Sequence, residues 1–135
     1  MLRRLWSVPE QSRAARTVEL YGWFLLLEGA VILLFPGVVA ALLRFGPLQL
    51  ETTNFLRLIG LLAGGVGLLY TLSGRLNAEG FVFASLIDRP LVPPVAALLW
   101  YLGIMPGGFA LLFAVEDFGT WLWTLQAWRA ETRER

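Results

Sequence analysis

The sequence predicts an all-α protein: a bundle of four membrane-spanning helices, both termini cytoplasmic, forming one integral membrane domain over residues 1–135. Three observations predict it. Hydrophobic residues make up 57% of the 135 residues and charged residues 16%, where a soluble domain carries about 25% charged residues. Four apolar stretches each approach or exceed the roughly 20 residues that span a hydrocarbon core. Arginine is concentrated in the polar segments that would lie on one side of such a bundle.

The N-terminal segment, residues 1–16, is polar and carries Arg3, Arg4, Arg13 and Arg16. The apolar run behind it is too long for a signal-peptide core and is expected to stay as an uncleaved first span. That span covers about 20–43. Tyr21 and Trp23 stand at its start, where an aromatic belt forms. Pro36-Gly37 is expected to kink its outer half. A short loop, 44–53, contains Gly46-Pro47.

Span two covers about 54–73 and holds Gly60, Gly64, Gly65 and Gly67. Gly60 and Gly64 form a small-xxx-small pair, which lets a second helix approach closely. The turn at 74–80 carries Arg75, Asn77 and Glu79. Span three covers about 81–103, and Pro90, Pro93 and Pro94 interrupt it directly after Asp88-Arg89. Each proline removes a helical hydrogen bond, so this helix is expected to bend or break near mid-membrane. The carbonyls freed there must be satisfied by protein or water. Span four covers about 109–128, with Trp121, Trp123 and Trp128 in its last turns. The polar tail, 129–135, is expected to fray.

Orientation follows from the arginines. Arg3, Arg4, Arg13, Arg16, Arg75, Arg129, Arg133 and Arg135 fall on the side of the termini, and Arg44 alone falls in the opposite loops. The positive-inside rule then places both termini in the cytoplasm.

Several function classes are excluded or weakened. The net charge of +1 provides no basic field for nucleic acid. The chain has no Cys and no His, which removes thiolate chemistry, disulfides and the commonest metal and haem ligands. No metal and no cofactor are expected. All the cations are Arg, consistent with the codon usage of a GC-rich bacterium.

Ionisable side chains at membrane depth mark a functional site by default. Glu28 lies in span one, Arg57 in the outer part of span two, Asp88 and Arg89 in span three, and Glu116 and Asp117 in the middle of span four. Their depths permit one cluster, in which Arg89 meets Glu28 or Asp117 and Arg57 reaches toward Glu116 or Asp117. Neighbours on a helix point about 100° apart, so Glu116 and Asp117 are not expected to share one partner, nor are Asp88 and Arg89. Arg89 and Asp117 are expected to face inward. Asp88 or Glu116 is left for a wet cavity or another chain. Two arginines face four carboxyls, so at least one carboxyl lacks a cation and is available for proton exchange. Tyr70 and Tyr101 are either hydrogen-bond donors to this cluster or interfacial aromatics.

The runs Arg57-Leu58-Ile59-Gly60 and Gly67-Leu68-Leu69-Tyr70 resemble the second helix of small DoxX-like membrane proteins. The segment 81–85 leading into Asp88-Arg89-Pro90 fits the same pattern. So does 115–121, where Glu116 and Asp117 precede Gly119 and Trp121, and Glu28 fits an acidic position in the first helix. The resemblance covers roughly 54–128. It implies a four-helix bundle in the bacterial inner membrane, with Arg57, Arg89 and Asp117 on recurring charged positions and no catalytic assignment. Some DoxX relatives are subunits of a thiosulfate:quinone oxidoreductase. The absence of Cys and His here runs against a redox role.

Three functions compete. The first is a structural or accessory membrane subunit, as a homo-oligomer or within a larger complex. The second is a binder or enzyme for a hydrophobic molecule such as a quinone, isoprenoid or other lipid, with Glu28 and Asp117 as acid and base. The third is a small proton-coupled transporter using Glu28. Membrane lipid is an expected partner in each, and nucleic acid in none.

Overall fold

The computed structural model describes residues 11–134, and every regular element among them is helical. Helix α1 covers Arg13–Leu34 and α2 covers Pro36–Leu42. Helix α3 covers Leu50–Arg75 and α4 covers Glu79–Asp88. A single 3-10 turn, Arg89–Leu91, joins α4 to α5, Val92–Tyr101. Helix α6 covers Gly107–Glu134.

Three segments are long and apolar enough to cross a membrane: Arg13–Leu34, Leu50–Arg75 and the combined Glu79–Tyr101. Helix α6 is the longest, at 28 residues. It is not one of the three, because Glu116, Asp117, Thr120 and Thr124 dilute its apolar character. Large apolar side chains cover the outside of the bundle, among them Leu27, Leu42, Phe55, Leu62, Leu111 and Val115, each more than half exposed. An apolar exterior suits lipid and not water.

The expected kink at Pro36 is a full break. Phe35 leaves the helical region with φ −126° and ψ 52°, and Pro36 opens α2 at its first position. Proline is tolerated there because its missing N–H has no intrahelical partner anyway. The tail expected to fray is helical to Glu134. Its side chains are held by α1: the Arg13 and Ala14 amides donate to the Glu131 carboxylate, and Arg13 Nη1 pairs with Glu134 at 3.2 Å. A carboxylate over the first amides of a helix satisfies orphan donors and complements the helix dipole. Ser12 adds the usual side-chain cap, accepting from the Ala15 amide at 3.0 Å. Arg3, Arg4 and Arg135, which enter the orientation argument, lie outside the described residues.

Helices α2, α3 and α5 end alike. Arg44, Asn77 and Gly103 take left-handed φ values of 57°, 53° and 71°. The next amide then returns to a carbonyl five residues back: Phe45 to Ala40, Ala78 to Ser73 and Ile104 to Leu99. This is the Schellman closure, which caps carbonyls that a helix end leaves free.

Helices α1 and α3 are antiparallel and touch backbone to backbone. Ala15, Gly22 and Gly29 face Gly74, Gly67 and Gly60 in turn. A Cβ on Gly67 would lie 2.6 Å from the Leu26 amide nitrogen, and one on Gly60 2.6 Å from that of Leu33. The glycines recur every seven residues on both helices, which keeps one seam facing its partner in a left-handed wrap. Gly60 and Gly64, the expected small-xxx-small pair, both set their backbone against Gly29, although a Cβ on Gly64 or Gly65 would itself enter open space.

Two apolar clusters fill the interior. One, toward the end that holds both described termini, contains Ala15, Val18, Tyr21, Leu25, Tyr70 and Val82. The other, toward the opposite end, contains Ile32, Val39, Leu56 and Phe109. Glu28 lies between Leu25 and Ile32 along α1, so a polar level separates the two.

Candidate functional site

The proline run builds the site. Pro90 has no N–H, so the Leu86 carbonyl loses its helical donor. The indole of Trp121 on α6 replaces it, donating to Leu86 O at 2.9 Å. The Val92 amide turns back to the Arg89 carbonyl, tightening the chain into the 3-10 turn. That turn separates two neighbours. Arg89 points into the bundle and is 1% exposed, while Asp88 lies on the exposed face of α4.

Inside, the Arg89 guanidinium carbon lies 4.1 Å from the centre of the Tyr21 ring and 4.9 Å from that of Tyr70. The two rings meet edge to face at 5.2 Å. Phe81 backs Tyr70 at 4.8 Å. A guanidinium on an aromatic face gains about 2 kcal/mol or more when desolvated. Arg89 Nη1 also donates to Thr124 Oγ1 at 3.3 Å, and Thr17 Oγ1 lies 2.9 Å from the same oxygen. The Tyr21 hydroxyl donates to Asp117 Oδ1 at 2.8 Å. Arg89 and Asp117 make no direct ion pair; Tyr21 stands between them, stacked on one and hydrogen-bonded to the other. Arg89 Nε and Nη2 are buried without a hydrogen-bond partner.

One further level along, Glu28 of α1 faces Glu116 of α6, carboxyl to carboxyl. All four of their oxygens are buried without a hydrogen donor. The contacts between α1 and α6 thus form a polar ladder: Arg13 with Glu134, Thr17 with Thr124, Tyr21 with Asp117, then Glu28 with Glu116. Helix α1 carries a glycine seam toward α3 and this ladder toward α6.

The structure unites five of the expected residues, Glu28, Tyr70, Arg89, Glu116 and Asp117. The other candidates are placed as follows. Arg57 is exposed on α3 and does not reach Glu116 or Asp117, because its neighbour Leu56 takes the buried position of that turn. Asp88 is exposed beside a shallow apolar cleft of about 220 Å³ lined also by Leu91, Val92 and Val95. Glu116 is buried like Asp117, not turned outward; the two face different levels of α1. Tyr101 is 83% exposed and belongs to the surface aromatics.

Thr17, Tyr21, Trp121 and Thr124 were not expected in the site. The signal for them is spacing: Tyr21 precedes Glu28 by seven residues and follows Thr17 by four, so the three share a face of α1. Thr124 follows Asp117 by seven on α6.

Two further cavities lie at the ends of the bundle. One of about 320 Å³, near the termini, is lined by Ser12, Glu79, Val82, Phe83, Trp128 and Glu131 among others. The other, of about 310 Å³ at the opposite end, is almost wholly apolar, with Phe45, Leu56, Ile59, Met105, Phe109 and Phe113 in its wall. Neither touches Arg89, Tyr21 or Asp117. Among the described residues no group of three or more acidic side chains is placed to hold a metal ion. No family model, no curated protein and no solved structure matches this chain.

Proposed function

We propose that the chain is a four-crossing protein of the bacterial cytoplasmic membrane, with its termini inside, and that it serves as an accessory or structural subunit of the DoxX-like kind. One observation carries this reading. The central charge cluster is filled by its own side chains: Arg89 lies against two touching tyrosine rings, Asp117 is held by Tyr21, and none of the cavities described above is lined by these residues. Such a network fixes the relative positions of α1, α3, α6 and the 3-10 turn, and it leaves the outer faces for a neighbouring subunit. The fourth crossing is α6, whose polar residues are masked by α1 inside the bundle. The contact of Arg13 with Glu134 at one end of the bundle supports an even number of crossings.

The test is native mass spectrometry of the protein extracted in mild detergent or lipid discs. A homo-oligomer or a stoichiometric membrane partner is expected. A strict monomer under all such conditions overturns the subunit reading.

A second reading, a binder of a hydrophobic molecule, is favoured by the apolar cavity around Phe109. It predicts a co-purifying quinone or isoprenoid whose retention falls in Phe109→Ala. Retention unchanged by that substitution removes it.

A further inference from the structure

The lipid-depth carboxyl pair has a chemistry that the network around Arg89 does not use. Glu28 and Glu116 come from different helices and meet side chain to side chain. Glu116 is 8% exposed, and neither of its oxygens has a donor; the oxygens of Glu28 are equally unpartnered. An ionised carboxyl is an acceptor only, so two of them cannot bond to one another. Two adjacent unpaired charges in a bilayer interior are strongly disfavoured. One proton placed between them supplies the missing donor, removes one charge and yields a short, strong carboxyl–carboxylate bond.

The surrounding charged and titratable groups supply no alternative donor. On α6, Asp117 is engaged by Tyr21. On α1, Tyr21 spends its only proton on Asp117. Arg89 of the 3-10 turn is stacked on Tyr21 and Tyr70 of α3 and bonded to Thr124, and its two unpartnered nitrogens reach neither glutamate. Asp88 of α4 points outward. Leu25 and Ile32 flank the pair with apolar walls on either side along α1.

We infer that Glu28 and Glu116 form an intramembrane binding site for one proton, shared between the two carboxyls and exchangeable with water. The buried, donor-free oxygens of Glu116 opposite Glu28 carry this inference. It stands apart from the subunit reading: a strictly monomeric protein would end that reading and leave the shared proton in place.

Infrared spectroscopy of the full chain in lipid discs at neutral pH tests it, with carbon-13 in the glutamate side chains to separate Glu from Asp. A protonated-glutamate carbonyl band is expected, and it should shift on transfer to deuterium oxide. In Glu28→Gln and in Glu116→Gln the carboxamide N–H₂ replaces the proton as donor, and the band should be lost in each. Absence of the band from the unsubstituted protein overturns the proposal without any variant, should the variants fail to fold. A band that persists in either single variant also overturns it, because the proton then belongs to the remaining glutamate through its burial alone, or to another glutamate. A band abolished by sodium at constant pH assigns the site to a metal cation and overturns it as well.

Discussion

Arg89 shows how one side chain is made tolerable at membrane depth. Its charge is spread over two aromatic faces and bonded to a hydroxyl, and the carboxylate that balances it is held at one remove by Tyr21. The planar guanidinium suits this place and a lysine ammonium does not, since it cannot stack. Arg89→Lys is therefore expected to lower the thermal unfolding midpoint in detergent, and Arg89→Met to lower it no more than Lys does; circular dichroism melts decide. Tyr21→Phe tests a single contact. It keeps the ring under Arg89 but strands the Asp117 oxygen. The expected loss is about 1 to 2 kcal/mol, above the roughly 0.6 kcal/mol average for interhelical polar bonds in membranes, because a buried acceptor is left unsatisfied. Stability equal to that of the parent would show that Asp117 finds another donor. The residues at this scale were partly legible in the sequence. Arg89 and Asp117 stood out because a charge in an apolar run is conspicuous. Tyr21 did not, because a tyrosine near a span end has a sufficient explanation in the interfacial belt.

At the scale of elements, the helices differ in what holds them. The α1–α3 seam is dry and set by glycine at Gly22, Gly29, Gly60 and Gly67. Gly67→Val places methyl groups against the α1 backbone and is expected to cost at least about 1–3 kcal/mol, the usual range for overpacking. Gly65→Ala fills open space on the outer face and is expected to be neutral or to stabilise by up to about 1 kcal/mol, the helix-propensity difference. Thermal melts of the two variants side by side check the assignment; equal losses would refute it. The α4–α5 break depends on a different exchange, in which the Trp121 indole stands in for the N–H that Pro90 lacks. Trp121→Phe should cost about 1–3 kcal/mol by stranding the Leu86 carbonyl. In a Pro90→Ala background the helix regains its own donor, so the same substitution should cost less. The double-mutant cycle measures that difference. The sequence announced the break but not its partner, because the donor comes from a helix more than thirty residues away.

For the whole molecule, the pattern is one of sorting. Apolar side chains cover the outside, glycine lies at one seam of α1, and the polar ladder lies at another. The ladder explains why α6 packs into the bundle although its own hydropathy is modest. Glu116, Asp117 and Thr124 are turned inward, so its outer face presents Leu111, Val115, Phe118 and Trp123 instead. The absence of cysteine makes the topology directly testable. Gln49→Cys and Thr132→Cys both place a single exposed thiol outside the apolar segments. In intact cells, a membrane-impermeant maleimide is expected to label Gln49→Cys and to reach Thr132→Cys only after permeabilisation. The reverse pattern would invert the orientation, and labelling of both in intact cells would remove the four-crossing reading.

The amino-acid sequence by itself determined the helical class, the long apolar segments, the interruption after Arg89 and the short list of acids and arginines at depth. These follow from local properties: hydropathy over about 20 residues, the missing proline N–H, and the high cost of a charge in lipid. Tertiary structure alone decided which charges meet. It turned Arg57 and Asp88 outward, placed Tyr21 between Arg89 and Asp117, and set Glu28 against Glu116. The reason is geometric. The angular position of a side chain on its own helix is encoded locally, but its partner depends on the register and rotation of a second helix. Here that register is set by the glycine seam between α1 and α3 and by the cap that Glu131 places on α1, contacts between residues far apart in the chain.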